Sequence, residues 1–115
     1  MTTISPSRGE IWMGDLESGR GHEQAGRRPL LIISDSTYNR GPASLVIVLP
    51  ITSKAKNIAS HIAIVPPEGG LKVPSFIMCE AIRSISKERL TGWLGTVSNA
   101  TLSAVEAKLK AILCL

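Results

Sequence analysis

Aromatic residues are almost missing from this chain: one Phe, one Tyr and two Trp among 115 residues. A surface that captures bases by stacking wants several rings along its path, so Trp12 and Trp93 read as core or interface groups instead. Cysteine is equally sparse. Cys79 and Cys114 stand far apart in no CxxC arrangement, and the two histidines, His22 and His61, show neither HxxxH nor HExxH spacing. That spacing offers no zinc site, and no resident metal or cofactor is expected. Two isolated thiols in apolar surroundings suit a reducing compartment. Long apolar runs are lacking too: none approaches the ~18 residues of a membrane span, and Met1–Arg8 has no apolar signal core. The expectation is a soluble, cytoplasmic protein without membrane association. No internal repeat, low-complexity tract or linker interrupts the chain, whose length suits one domain over residues 1–115 with residues 1–7 flexible.

What is present is ordinary in bulk and uneven in detail. Apolar residues make up 43% and charged residues 19%, the composition of a folded protein. The net charge of +4 is compatible with an anionic partner without requiring one. Between Arg20 and Lys56, however, six basic residues face only two acids, Glu23 and Asp35. On charge alone, a solvated basic face and a phosphate-binding surface remain equally open.

The apolar pattern predicts many short strands. The first covers Arg8–Leu16, with Ile11, Met13 and Leu16 available to a core. A polar loop over Glu17–Arg28 leads to Pro29, which opens a strand over Leu30–Ser34 because proline cannot donate to a central ladder. A third strand spans Ser44–Ile51, and both of these runs are apolar continuously rather than alternately. Further strands are predicted at His61–Val65, Ser75–Glu80, Ile82–Ile85 and Leu90–Val97, separated by Gly and Pro breaks. Leu102, Val105, Leu109, Ile112 and Leu113 then fall at helical spacing behind Ser98, a suitable N-cap. The fold class is mainly β with a C-terminal helix, the strands closing as a compact barrel.

Chemistry concentrates in Gly21-His22-Glu23-Gln24-Ala25-Gly26-Arg27-Arg28-Pro29, a glycine-bracketed loop that runs straight into a buried strand. RNA carries its own nucleophile, the 2′-hydroxyl. A protein that cuts it needs a group to take that proton, a donor for the leaving 5′-oxygen, and positive charge for the crowded phosphorane. Arg28 fits the charge role, since its forked donors match phosphate oxygens and stay protonated. His22 has the ordinary pKa nearest neutrality, and Glu23 could orient that ring or act itself. Thr52, ending the third strand, can donate a hydroxyl hydrogen bond. A bland alternative is that Arg27 or Arg28 merely pairs with Glu23 at the surface. His61, opening a strand, reads as a rim residue. Glu80, ending an apolar strand, fits an N-cap, a buried acceptor or a site residue, and the sequence does not choose.

In order, Arg8-Gly9-Glu10-Ile11-Trp12, the Gly21–Pro29 loop, Pro50-Ile51-Thr52-Ser53-Lys54, and Ile82-Arg83-Ser84-Ile85 before Lys87-Glu88-Arg89-Leu90 resemble the MazF/PemK toxin ribonucleases. The resemblance runs from Arg8 into the terminal helix. It implies an SH3-like barrel of the PemK/CcdB type with additional antiparallel strands, working as a homodimer. It also implies metal-independent cleavage of single-stranded RNA at a short sequence, leaving a 2′,3′-cyclic phosphate and a 5′-hydroxyl, and a cognate antitoxin that blocks the site. Carried over by position, the family's arginine before proline is Arg28 and its threonine after the third strand is Thr52, the two expected catalytic residues. His22, Glu23, Gln24, Arg27, Ser53, Lys54 and Glu80 are the expected substrate contacts. Residues 22–24 would form a flap that orders over RNA or yields to the antitoxin. Met78 stands where the PemK-like branch has an arginine, and Ala81 where many relatives have glutamine, so that branch's full acid–base set does not transfer. Two other readings stay open: a module that uses the same basic surface to bind RNA or protein without cutting, and a gyrase poison of the CcdB kind, a family that resembles this one in fold. The latter lacks its expected C-terminal Trp-Gly-Ile, since this chain ends Ile112-Leu113-Cys114-Leu115.

Overall fold

A computed structural model describes residues 5–16 and 26–115. Its seven strands are β1 (Glu10–Leu16), β2 (Gly26–Ile32), β3 (Leu45–Thr52), β4 (His61–Ile64), β5 (Ser75–Met78), β6 (Arg83–Ser86) and β7 (Leu90–Thr96). Two helices accompany them, a single turn α1 (Ser36–Asn39) and the terminal α2 (Asn99–Leu113). All pairings are antiparallel, in the order β4-β5-β3-β2-β1-β7, with β6 also pairing along β3. The mainly β class with a C-terminal helix is therefore as expected. The expected closure of the barrel is not: the strand path is open, with β4 and β7 at its two ends.

The continuous apolar runs are explained by burial on both faces of the sheet. Leu31, Ile33, Leu49 and Ile51 join Ile11, Ile77 and the helix residues Val105 and Leu109 in one core. Leu30 and Ile32 of β2, with Val46 and Val48 of β3, point the other way into a second core with Leu16, Ile85 and Leu90. Ser98 caps α2 by accepting from the Thr101 amide at 3.1 Å. Its buried stripe is shorter than the periodicity predicts: Ile112 and Leu113, near the C-terminal end, are 40% and 45% exposed.

Three details depart from the sequence reading. First, β2 starts at Gly26, so Arg27 and Arg28 are strand residues opposite Asp15 and Gly14 rather than loop residues, and Pro29 lies inside the strand opposite Met13. Second, the lead expected to be flexible is partly pinned, because Pro6 is fully buried and its carbonyl accepts from Asn39 Nδ2 at 2.9 Å. Third, α1 went unpredicted although Asp35 caps it, accepting from the Thr37 amide at 2.9 Å. Asn39 at its end is wholly buried and also bonds Ser34, which in turn receives the Ile47 amide at 3.0 Å.

The feature that positions the site is a parting of strands. The β2–β3 ladder contains Leu30↔Pro50, Leu31↔Leu49 and Ile32↔Val48 and goes no further. Past Pro50 the β2-facing edge of β3 has no strand partner among the described residues, while its opposite edge pairs with β5 at Ile51↔Ile77 and Thr52↔Phe76. Extending the β2–β3 register by two residues would set Arg28 across from Thr52, at the mouth of the opening. A turn over Glu68–Gly70 covers the neighbouring strand: a Cβ on Gly95 would come within 2.5 Å of the Gly69 carbonyl carbon and 2.7 Å of the Gly70 nitrogen, so backbone meets backbone there.

Candidate functional site

The parted strands open onto a groove of about 560 Å³. Its floor is apolar, made by Met13, Ile51, Leu71 and Leu94, while Arg27, Arg28, Lys54 and Lys72 stand around it. Among the described residues, no carboxylate lines it. Four cations over an apolar floor form a receptor for a polyanion that carries flat apolar groups, which describes a nucleic-acid strand.

Arg28 carries an unsatisfied donor in the free protein. Its Nε is buried and has no hydrogen-bond partner among the described residues. A buried guanidinium N–H without an acceptor is costly, and an incoming oxyanion would remove that cost. Arg27 is exposed and donates to Thr91 Oγ1 at 3.3 Å. Adjacent strand residues point to opposite faces, yet both arginines line the groove. Thr52 is half-buried, and its hydroxyl oxygen accepts from the Lys54 amide at 3.2 Å. The backbone thus occupies a lone pair of that oxygen and leaves its hydrogen to be donated elsewhere. Ser53 and Lys54 follow directly along the same wall.

His22, Glu23 and Gln24 lie outside the described residues, so the structure neither joins them to the groove nor removes them. Glu80 is described and lies elsewhere. It sits on a turn, Cys79–Ala81, that absorbs three extra residues between the β5 and β6 pairings on β3, and it does not line the groove. There its carboxylate accepts from Ser60 Oγ at 2.6 Å and meets His61 Nε2 at 2.9 Å. His61 is not the rim residue expected, for its side chain is 4% exposed and its Nδ1 is buried without a partner among the described residues. The groove also recruits residues that sequence reasoning passed over: Lys72, Val73 and Ser75, in a stretch that reads only as a Gly/Pro break followed by a strand. Among the described residues, no three His, Cys, Asp or Glu side chains converge as a metal site requires, and no helix is long and apolar enough to cross a membrane.

Two carboxylates carry shifted pKa values. Burial alone would raise Glu80, but the hydrogen bonds from Ser60 and His61 outweigh it and hold the group below the usual glutamate value. Glu68 behaves alike: burial pushes it up, while hydrogen bonds from Thr101 and Ser98, whose amide lies 2.9 Å away, bring it lower. Each carboxylate releases its proton more readily folded than unfolded, so the stabilisation is complete at neutral pH and is lost as pH falls below the ordinary glutamate range of ~4.3. Urea midpoints measured from pH 7 down to pH 3 should therefore hold steady and then fall. Glu68→Gln should start lower at pH 7 and show a shallower acid limb; a parallel limb would mean that Glu68 is not among the groups responsible.

Comparison with known proteins agrees with this geometry along nearly the whole chain. Residues 7–113 match the family of PemK-like, MazF-like toxins of type II toxin–antitoxin systems. The chain is 36% identical over 108 residues to the endoribonuclease MazF9 of Mycobacterium tuberculosis, covering 90% of this chain and 92% of that one. Endoribonuclease EndoA of Bacillus subtilis is 30% identical over 109 residues, with 94% of each covered. Among solved structures, MazF of Deinococcus radiodurans superposes with a TM-score of 0.87 at 28% identity, covering 98% of this chain and all of that one. A parted β2–β3 ladder, a cationic groove at the parting and a match over residues 7–113 lead to one assignment: the chain belongs to the PemK-like, MazF-like toxins of type II toxin–antitoxin systems.

Proposed function

We propose that this toxin is an endoribonuclease that cleaves single-stranded RNA at a short sequence by 2′-hydroxyl attack, without a metal ion. The observation that carries the reading is the buried Nε of Arg28, unpartnered among the described residues, at a groove whose described lining has four cations and no carboxylate. RNA threads the groove with its scissile phosphate at Arg28 and Thr52. The 2′-oxygen forms a bond to phosphorus as the bond to the 5′-oxygen breaks; one proton leaves the 2′-hydroxyl and another reaches the departing 5′-oxygen. Arg28 supplies a donor and fixed charge to the phosphorane oxygens, and Thr52 donates its free hydroxyl hydrogen to one of them. Arg27, Ser53 and Lys54 hold the flanking backbone, and His22, Glu23 and Gln24 complete the binding face. Glu80, tied to His61 and Ser60, takes no part in the scissile step within one chain.

The related mycobacterial endoribonuclease in complex with its cognate antitoxin, TM-score 0.76 and 26% identical, supports a like partner here. An acidic segment would compete with RNA for the same cations. The working form is a homodimer.

Incubated with a long RNA in EDTA, the purified protein should yield discrete fragments ending in a 2′,3′-cyclic phosphate and beginning with a 5′-hydroxyl. RNA left intact, or fragments appearing only with added divalent metal, would overturn this mechanism. Thr52→Val keeps the shape and removes the donor. It should lower kcat on the order of a hundredfold with little change in KM.

A further inference from the structure

The wall of the groove formed by the Gly70–Ser75 stretch belongs to no motif. Lys72 and Val73 stand on it, both exposed, Val73 to 52%. The stretch is nevertheless held at both ends. Ahead of it, Gly69 and Gly70 lie backbone to backbone against β7, and Glu68 is bonded to the first turn of α2. Behind it, Ser75 is buried, and its hydroxyl donates to the Val73 carbonyl at 2.9 Å. Lys72 has no ion pair among the described residues. An ammonium unpaired among the described residues, on an anchored turn and lining the same groove as Arg28, is a charge available to a ligand.

We infer that Lys72 is a second phosphate-binding residue. It holds a phosphate adjacent to the scissile one, with the intervening base laid on Met13, Leu94 and Val73. This rests on the ribonuclease reading above and extends it to a second subsite. A lysine suits the role because an ammonium is a point charge that accepts a backbone phosphate from many directions, whereas the scissile phosphate needs a guanidinium's fixed fork. A contact of this kind sets the register of the strand and reads no base. Lys72 is thus a positioning residue: it decides which phosphate comes to rest at Arg28.

The test uses short RNAs that contain the cleavage site, with single non-scissile phosphates replaced in turn by uncharged methylphosphonate. Lys72→Ala should raise KM about three- to tenfold with kcat nearly unchanged, and should reduce the log–log salt slope of binding by about one. Lys72→Arg should restore both. Lys110→Ala, which removes a lysine from α2 outside the groove, should alter neither. In the wild type, one methylphosphonate beside the scissile position should weaken binding, and in Lys72→Ala that same replacement should have no effect. If wild type cuts while Lys72→Ala matches it in KM and in sensitivity to every replacement, this assignment alone falls. A KM rise with no single phosphate losing its effect overturns it equally. Wild-type protein that leaves RNA intact removes the ribonuclease reading and the second subsite together.

Discussion

Arg28→Ala is expected to cut kcat/KM for RNA cleavage by about a thousandfold while the melting temperature holds steady or rises. The two effects have one origin. In the free protein the buried Nε of Arg28 finds no acceptor among the described residues, so the folded state bears an unpaired polar group that alanine does not have. In the transition state the same N–H meets the developing phosphorane charge in a groove with no carboxylate among its described lining residues. The feature that weakens the resting fold is therefore the one that lowers the barrier, as expected where a site is held in readiness for its ligand. Arg28→Lys keeps the charge and loses the fork, and should recover only part of the rate. Inorganic phosphate should raise the melting temperature of wild type and not of Arg28→Ala. A variant cutting within tenfold of wild type, or one that unfolds several degrees earlier, would place Arg28 in the scaffold instead of the chemistry.

Arg28 also shows how far the sequence reaches. The strands β3 and β7 and most of α2 are legible because their apolar spacing follows from burial alone, on two faces for β3 and on one stripe for the helix. Two features escape for different reasons. The start of β2 is hidden because Gly26, Arg27 and Arg28 look like loop residues; they become strand because β1 runs on to Leu16 and offers Leu16, Asp15 and Gly14 as partners. The last turn of α2 is overestimated because Ile112 and Leu113 keep the helical period after the core has ended at Leu109. As for the candidate site, resemblance singles out Arg28 and Thr52, and both line one groove at the end of the β2–β3 ladder. Glu80 lies off this groove because three residues absorbed at Cys79–Ala81 carry it off the line of β5 toward His61. Lys72 and Ser75 carry no local signal at all. Their role depends on a turn being clamped against β7, which is a contact between segments distant in sequence.

That clamp yields the largest expected effect on stability. Gly70 has φ of +73°, and a Cβ there would fall onto the Leu94 carbonyl, within 2.6 Å of its carbon. Gly70→Ala therefore meets two penalties together: a left-handed backbone that L side chains resist, worth roughly 1–2 kcal/mol, and overpacking against rigid backbone, worth roughly 1–3 kcal/mol. Their sum, about 2–5 kcal/mol, is a large share of the 5–15 kcal/mol that ordinarily holds a domain of this size together. The urea midpoint should drop accordingly. Gly92→Ala serves as the contrast, because a Cβ there meets nothing within 4 Å and its φ is not in the left-handed region; its unfolding free energy should stay within about 0.5–1 kcal/mol of wild type. The difference between the two isolates the close approach from the general cost of replacing glycine. Folded Gly70→Ala, assayed at low temperature, should also bind RNA more weakly, because the turn that carries Lys72 can no longer rest on β7. Equal midpoints for the two variants would mean that the turn does not lie against Leu94, and the second wall of the groove would lose its anchor.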